Sequence, residues 1–224
     1  RDWSSDVCSS DLDERVMDVA ATADGIVVTT DQGQFEADRC VIAAGAWVKQ
    51  FLPEDRRRPF KVYRQVMYWF EAEDIEQFST DHFPMLMWIA ETQDQILGAF
   101  PNGKPNPLGV KLLTEQFVET CDPDGVDRHV SQAEIDYFAE HYAMQRIGGL
   151  TGKCLKAQAC LYTMTADSHF VIDRHPEMER VIVASPCSGH GFKHSAAIGE
   201  SIAQWALDGQ SRIDLSSFSF DRFK

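Results

Sequence analysis

Two stretches of the chain place chemically capable residues at short spacing. In the first, the Cys160 thiol stands two residues from the Tyr162 phenol within a β-rich run. In the second, Gly189 and Gly191 precede Lys193 at the expected start of a helix. Glycines let a ligand approach the backbone closely, and the free N–H groups at a helix start favour negative charge. Together the two stretches predict a site for a flat, anionic cofactor.

The same stretches resemble two signatures of the monomeric sarcosine oxidase and N-methyltryptophan oxidase family, which belongs to the D-amino acid oxidase-like superfamily. Residues 160–173 carry Cys-x-Tyr-Thr-x-Thr-x-Asp-x-x-Phe-x-Ile-Asp, and residues 188–193 carry Ser-Gly-His-Gly-Phe-Lys. The resemblance covers residues 13–224. It implies an FAD-dependent monomer that oxidises an N-methyl amino acid or related secondary amine to an imine, with O2 reduced to hydrogen peroxide.

The resemblance also implies roles for single residues. Cys160 is similar to the cysteine that forms a thioether to the flavin, and Tyr162 is similar to a tyrosine beside the substrate. Lys193 is similar to the lysine that activates O2. Lys111 is retained as a cation for the substrate carboxylate, but Glu115 stands where sarcosine oxidases have a His, which favours a different amine. The expected catalytic residues are Lys193, Tyr162 and Lys111, and the expected cofactor-binding residues are Cys160, Gly45, Trp47, Gly189, His190, Gly191, Phe192 and Lys193.

The elements around the second stretch predict part of a Rossmann-like FAD-binding domain. The apolar run 40–44 lacks alternation, as in a strand covered on both faces, and it ends at Gly45 before a short helix over 47–52. Residues 192–207 predict one helix that ends at Asp208-Gly209. Its inward residues are expected to be Ile198, Ile202, Trp205 and Ala206.

The middle of the chain predicts an antiparallel-sheet substrate domain. Strand-like runs occur at 60–72, 84–90, 95–100, 108–117 and 154–165, and a capping box at Ser131–Glu134 opens a helix that ends by Gly148-Gly149. Two hairpins precede them, with turns at 23–25 and 31–33. The fold class is therefore α/β and α+β. The expected domains are residues 13–58 with 167–224 for FAD and 59–166 for substrate, with strands also near 169–173 and 180–185.

The first twelve residues have no helix or strand period and are expected to be non-native or disordered. The GxGxxG turn that grips the FAD pyrophosphate in this family is absent from the sequence, which favours a chain truncated at its N-terminus. An inactive fragment of such an oxidase is therefore one alternative.

Composition excludes several classes of partner. The net charge is −14 and the isoelectric point is about 4.8, which argues against nucleic acid and anionic membranes. No apolar run approaches the ~20 residues of a membrane span. Six cysteines without tight spacing favour a reducing, cytoplasmic location over a disulfide framework.

Two further alternatives stay open at the level of sequence. A flavin dehydrogenase subunit would pass electrons to an acceptor other than O2, although Lys193 favours O2. A zinc hydrolase would use His190 and His194, which stand four residues apart. The glutamate that such a zinc motif carries after its first histidine is missing, and Lys193 between the ligands would repel the cation.

Overall fold

The computed structural model describes residues 11–89, 96–103 and 108–224. The chain forms two compact units, one of Arg1–Phe60 with Thr165–Lys224 and one of Lys61–Met164. The FAD-binding and substrate-binding roles expected of the two parts stay predictions.

The strands are β1 (Val16–Ala21), β2 (Ile26–Thr30), β3 (Gln34–Ala37), β4 (Cys40–Ile42), β5 (Phe60–Ala72), β6 (Leu86–Ile89), β7 (Ile96–Phe100), β8 (Val110–Thr114), β9 (Leu150–Thr165), β10 (Val171–His175) and β11 (Met178–Ser185). The α-helices are α1 (Glu54–Arg57), α2 (Gln132–Phe138), α3 (Met144–Arg146) and α4 (Ser195–Asp208). Shorter 3-10 helices span Gly45–Phe51, Ile75–Phe78, Phe192–His194, Ser216–Phe218 and Phe220–Phe223, and a π-helical turn spans Ala139–Ala143.

The two predicted hairpins are confirmed. Strands β1, β2 and β3 form an antiparallel sheet in that order. The turns close through backbone bonds from Thr22 N–H to Gly25 and from Thr30 N–H to Gly33, both 2.9 Å long. The Thr30 hydroxyl also accepts from the Gly33 N–H at 2.9 Å. The polar and glycine residues of each turn therefore satisfy its backbone groups.

A second sheet of the same unit has the order β10-β11-β4, with β11 and β4 parallel. The expectation that residues 40–44 form a strand covered on both faces is wrong. The strand is only Cys40–Ile42, and Val41 is 42% exposed while Ile42 is 5% exposed. Ile42 packs into a small core with Ile26 and Val181, so only one face of β4 is covered.

A helical segment over the range predicted, 192–207, is confirmed, although its first turn is not α-helical. It begins with a 3-10 turn at Phe192–His194 and becomes α-helical only at Ser195. It ends at Gly209, which adopts a left-handed φ of 78° as a C-cap, as predicted. The residues expected to face inward, Ile198, Ile202, Trp205 and Ala206, are half-buried in a helix that is mostly exposed, and Ser201 beside them is buried.

The unit of Lys61–Met164 contains a five-stranded sheet with the order β6-β7-β8-β5-β9. Strand β8 pairs antiparallel with β5 and with β7, and β7 pairs antiparallel with β6, as predicted. One face of this sheet packs against the helical segment that α2 opens. Tyr68 stacks on Phe138 with ring centroids 4.0 Å apart, and Phe70 lies 6.0 Å from the same ring.

The predicted capping box that starts α2 is confirmed. The Ser131 hydroxyl accepts from the Glu134 N–H at 3.2 Å, and the Glu134 carboxylate accepts from the Ser131 N–H at 2.9 Å. Arg64 of β5 forms an ion pair with the same carboxylate at 2.7 Å. The helical segment continues through the π-helical turn and ends at Arg146, before Gly148-Gly149 as expected.

Parts of the sequence predictions fall outside the described residues. These are residues 1–10 of the foreign-looking start, residues 90 and 95 of two predicted strands, and residues 104 and 105 of a predicted turn. In the part of the chain that the structure describes, no helix has both the length and the apolar character needed to cross a bilayer.

Candidate active site

One face of the five-stranded sheet carries a row of aromatic and cationic side chains. Lys111 of β8 lies opposite Trp69 of β5 and opposite Phe100 of β7 in the strand register. Its Nζ is 4.8 Å from the Phe100 ring centroid and 5.9 Å from that of Trp69. Lys156 of β9 places its own Nζ 5.1 Å from the Trp69 ring. Cation–π contacts with both neighbouring strands therefore hold Lys111 in place.

Cys160 and Tyr162 belong to the same unit and are electrostatically linked to this row. Burial raises the pKa of the half-buried Cys160 thiol, and the positive charges of Lys111 and Arg128 partly oppose that rise. Burial also raises the pKa of Tyr162, and the negative charges of Glu115 and Cys160 add to the effect. Without a ligand, both groups therefore keep their protons at neutral pH.

Tyr162 has a defined partner in Glu115, the residue that replaces the expected His. The Tyr162 hydroxyl donates to Oε1 of Glu115 over 3.4 Å, which is a long hydrogen bond. Both side chains are half-buried. A protonated phenol beside an acidic side chain can orient a polar substrate group by hydrogen bonding, and the carboxylate favours positive charge nearby.

The glycine stretch lies in the other unit, where it forms a tight turn. Ser188 and Gly189 have φ values of 47° and 77°, and the N–H groups of His190 and Gly191 both bond the Cys187 carbonyl. The buried Ser188 hydroxyl donates to the His169 carbonyl at 3.1 Å. This bond, together with one from Thr165 to the same carbonyl, ties the turn to the end of β9.

Gly191 packs closely against the backbone of the turn itself. A Cβ added there would lie 1.5 Å from the Pro186 carbonyl oxygen, and Gly191 is buried. The Pro186 carbonyl by itself requires glycine at position 191, and the cofactor-binding role expected of Gly191 stays a prediction. At Gly189 the left-handed φ is itself sufficient reason for glycine.

The residues that follow the turn are exposed. Phe192 is 93% exposed, and Lys193 and His194 are exposed with it in the 3-10 turn. His190 hydrogen-bonds the Ser168 carbonyl through Nε2 at 3.0 Å, and its ring lies 4.8 Å from that of Phe170. Within residues 11–89, 96–103 and 108–224, no three His, Cys, Asp or Glu side chains are arranged to hold a metal ion. The zinc alternative therefore gains no support.

Gly45 and Trp47 follow β4 in the same unit. Gly45 has a φ of 51°, a left-handed conformation that favours glycine, and a Cβ there would meet nothing within 4 Å. The Trp47 N–H bonds the Ala44 carbonyl at 2.9 Å. The chain thus leaves the parallel strand through an open turn that favours glycine, and the cofactor-binding role expected of Gly45 and Trp47 stays a prediction.

The structure groups the candidate residues by unit. Lys111, Cys160, Tyr162 and Glu115 all belong to the unit of Lys61–Met164, where the Tyr162 hydroxyl donates to Glu115 and the charge of Lys111 acts on Cys160. The candidates at 45–47 and 189–193 belong to the other unit. Sequence reasoning missed the parts played by Trp69, Phe100, Lys156 and Arg128. Trp69 lies in the strand-like run 60–72, but only the strand register shows which side chains lie beside it.

Comparison with known proteins gives a consistent family. Residues 12–205 match the family described as FAD dependent oxidoreductase. The chain is 34% identical over 213 residues to monomeric sarcosine oxidase of Bacillus sp. (strain NS-129), covering 92% of this chain and 53% of that protein. It is 37% identical over 205 residues to N-methyl-L-tryptophan oxidase of Yersinia pestis (strain Pestoides F), covering 89% of this chain and 52% of that protein.

Solved structures show the same fold at lower identity. NikD, described as an unusual amino acid oxidase essential for nikkomycin biosynthesis, superposes with a TM-score of 0.74 at 18% identity over 92% of this chain and 54% of its own. L-proline dehydrogenase from P. horikoshii gives 0.70 at 18% identity over 94% and 54%. The mixed α/β fold is therefore confirmed as that of the FAD-dependent oxidases. The chain spans about half the length of the curated relatives it matches.

Proposed function

Because the chain belongs to the FAD-dependent oxidoreductase family, we propose that it is part of an enzyme that oxidises a secondary amine. The observation that carries this proposal is the grouping of Lys111, Cys160, Tyr162 and Glu115 in one unit. A thiol can attach a flavin, and a neutral phenol, a carboxylate and a cation can orient an amino acid substrate beside it.

The residues present fit a flavin. Burial raises the pKa of the Cys160 thiol, and the positive charges of Lys111 and Arg128 partly offset that rise, which favours the thiolate that attachment to a flavin requires. Gly45 and Gly189 have left-handed φ values at turns, and without a side chain their backbone can be approached closely by a cofactor. We propose that Cys160 bonds the flavin. The cofactor contacts expected of Gly45, Trp47 and residues 189–193, which belong to the other unit, stay predictions. When bound, the flavin supplies the electron acceptor for the amine.

Protein side chains would orient the substrate around that acceptor. The Tyr162 phenol stays protonated and donates its hydrogen bond to Glu115, so the pair presents the phenol oxygen and the carboxylate as acceptors toward a protonated amine. Glu115 favours a substrate with positive charge at this position. Its presence also favours an amine other than sarcosine, of the N-methyl or N-alkyl amino acid class.

Covalent attachment can be tested by acid precipitation after expression with FAD. We expect the pellet of the wild-type chain to keep a yellow flavin spectrum and the pellet of Cys160→Ser to lose it. Cys154→Ser is the matched control, because Cys154 is a free, half-buried thiol on the same strand. A colourless wild-type pellet with yellow native protein would exclude the thioether, and folded protein without any flavin would overturn the proposed function.

Two lysines are candidates for the cation that assists O2 reduction. The resemblance assigns this role to Lys193, which is exposed in its unit. The cation–π contacts of Lys111 favour Lys111 instead, because a fixed, half-buried charge stabilises developing negative charge better than a mobile one.

Rapid-reaction kinetics separate the two assignments in the flavin-loaded enzyme. We propose that Lys111→Met slows reoxidation by O2 about 100-fold or more, the range found when one electrostatic stabiliser is removed, and leaves anaerobic reduction by the amine near normal. Lys193→Met is the matched comparison. Slow reoxidation in Lys193→Met with normal reoxidation in Lys111→Met would restore the role to Lys193.

A further inference from the structure

Aromatic and cationic side chains alternate across four neighbouring strands of the five-stranded sheet. Phe100, Lys111, Trp69 and Lys156 follow one another on β7, β8, β5 and β9. We call these four residues the cation–aromatic row. Two ammonium groups thus share contact with the single indole of Trp69, although like charges on neighbouring positions repel.

Neither ammonium of the row has an acidic partner among the described residues. The ion pairs of that part of the chain join other residues, and Lys153, three residues before Lys156, is paired with Glu71 at 3.0 Å. The chain contains 35 acidic and 21 basic residues, so acidic partners are abundant. Among the described residues, the two ammonium groups of the row thus form no ion pair although the protein is acidic, and the Glu115 carboxylate of the same unit is hydrogen-bonded to Tyr162.

The surroundings of the row favour the binding of an anion. Trp69, Phe100 and Lys111 are half-buried, which weakens solvent screening of the charge, while Lys156 is exposed and can be reached from solution. The positive charges of Lys111 and Arg128 also act on the Cys160 thiol, where they oppose the rise in pKa that burial causes. A carboxylate can accept hydrogen bonds from ammonium groups and lie against aromatic ring edges.

We propose that Lys156 and Lys111, on the strands that flank Trp69, form a binding subsite for a small carboxylate. Lys156 is the residue that the amine-oxidising reaction does not otherwise use. The carboxylate is either that of a free organic acid or that of the amino acid substrate. The second source rests on the proposed function, whereas the subsite itself does not.

Tryptophan fluorescence provides the test, with sodium acetate as the probe at an ionic strength kept constant with sodium fluoride. An anion that draws the ammonium groups off the indole changes the emission of Trp69, and Trp69→Phe identifies that component. We expect a saturable change in the wild-type chain. Lys156→Met and Lys111→Met should each weaken acetate binding about tenfold, because a charge-assisted hydrogen bond is lost.

Lys153→Met is the matched control on the same strand, since its ammonium is already paired with Glu71. It should bind acetate as the wild type does. Equal acetate affinity in Lys156→Met and Lys153→Met would overturn the subsite. A change that fails to saturate, or that survives in Trp69→Phe, would overturn it as well.

The two sources of the carboxylate are separated by a second titration with N-methylglycine and its amide. Binding of N-methylglycine but not of the amide assigns the subsite to the substrate carboxylate, and binding of acetate alone assigns it to a free acid. Equal binding of acid and amide would exclude anion recognition. Saturable acetate binding by a chain that holds no flavin would leave the subsite intact and count against the proposed function only.

Discussion

At the scale of single residues, burial and neighbouring charge decide which groups keep their protons. Tyr162 has a raised pKa because it is buried beside Glu115, and Tyr68 has a raised pKa because it is buried beside Glu134. Tyr68 lies in the core, where its ring stacks on Phe138. A raised tyrosine pKa therefore does not mark a functional residue by itself, and the grouping around Cys160 is what distinguishes Tyr162.

The buried Tyr68 gives a testable pH dependence. Its pKa is raised to about 12 in the folded chain, mainly by burial and then by Glu134. A group whose pKa rises on folding contributes stability that is fully present below the unfolded pKa of about 10 and is lost as the pH rises through the folded pKa. We expect urea unfolding to show a free energy that falls between these two values, with a shallower fall in Tyr68→Phe. Parallel curves for the two proteins would contradict this assignment.

At the scale of elements, the turn before α4 shows how closely backbone segments approach. Its left-handed residues Ser188 and Gly189 reverse the chain, and Gly191 then passes the Pro186 carbonyl with no space for a side chain. The exposed Gly199 within α4 has nothing within 4 Å of an added Cβ. The same residue type thus has opposite consequences at two places only eight positions apart in sequence.

Alanine substitution at these two glycines should move stability in opposite directions. Gly191→Ala creates a clash with backbone and should lower the free energy of unfolding by about 3 kcal/mol or more. Gly199→Ala should raise it by about 0.4–1 kcal/mol, because the unfolded chain loses freedom and helix propensity improves. Urea denaturation of both variants measures the difference. A tolerated Gly191→Ala would show that the turn can rearrange.

At the scale of the whole molecule, each compact unit has a core of its own. In the unit of Lys61–Met164 the core contains Phe70, Leu97 and Leu112, all fully buried, and the other unit buries Val48 and Val183. The surface carries a net charge of −14. Self-repulsion of that charge opposes compact packing, so the protein's stability should depend on salt.

Thermal unfolding at neutral pH tests the effect of charge. Raising the ionic strength from ~0.01 M to ~0.15 M shortens the Debye length from about 30 Å to about 8 Å and screens the repulsion. We expect the melting temperature to rise over this range. The increase should be similar with sodium chloride and sodium fluoride, since screening depends on ionic strength. A fall would indicate that attractive pairs such as Arg64–Glu134 outweigh the net repulsion.

The amino-acid sequence by itself determined the family, most strand positions and the residues of the two signatures. Local patterns carry this information: hairpin glycines, the capping box at Ser131 and the long strand β5 each follow from neighbours in sequence. The residue roles inferred for Lys193, Cys160 and Tyr162 stay predictions. Sequence reasoning was wrong where burial depends on distant segments, as for Val41, which was expected to lie in a strand covered on both faces.

Only the tertiary structure decided which side chains lie next to each other. Cross-strand register places Lys111 between Trp69 and Phe100, and a shift of one residue would have turned it to the opposite face. The pairing of Tyr162 with Glu115 joins residues far apart in sequence. The need for glycine at 191 comes from the Pro186 carbonyl. Such contacts depend on how separate strands and turns pack, which no local sequence pattern encodes.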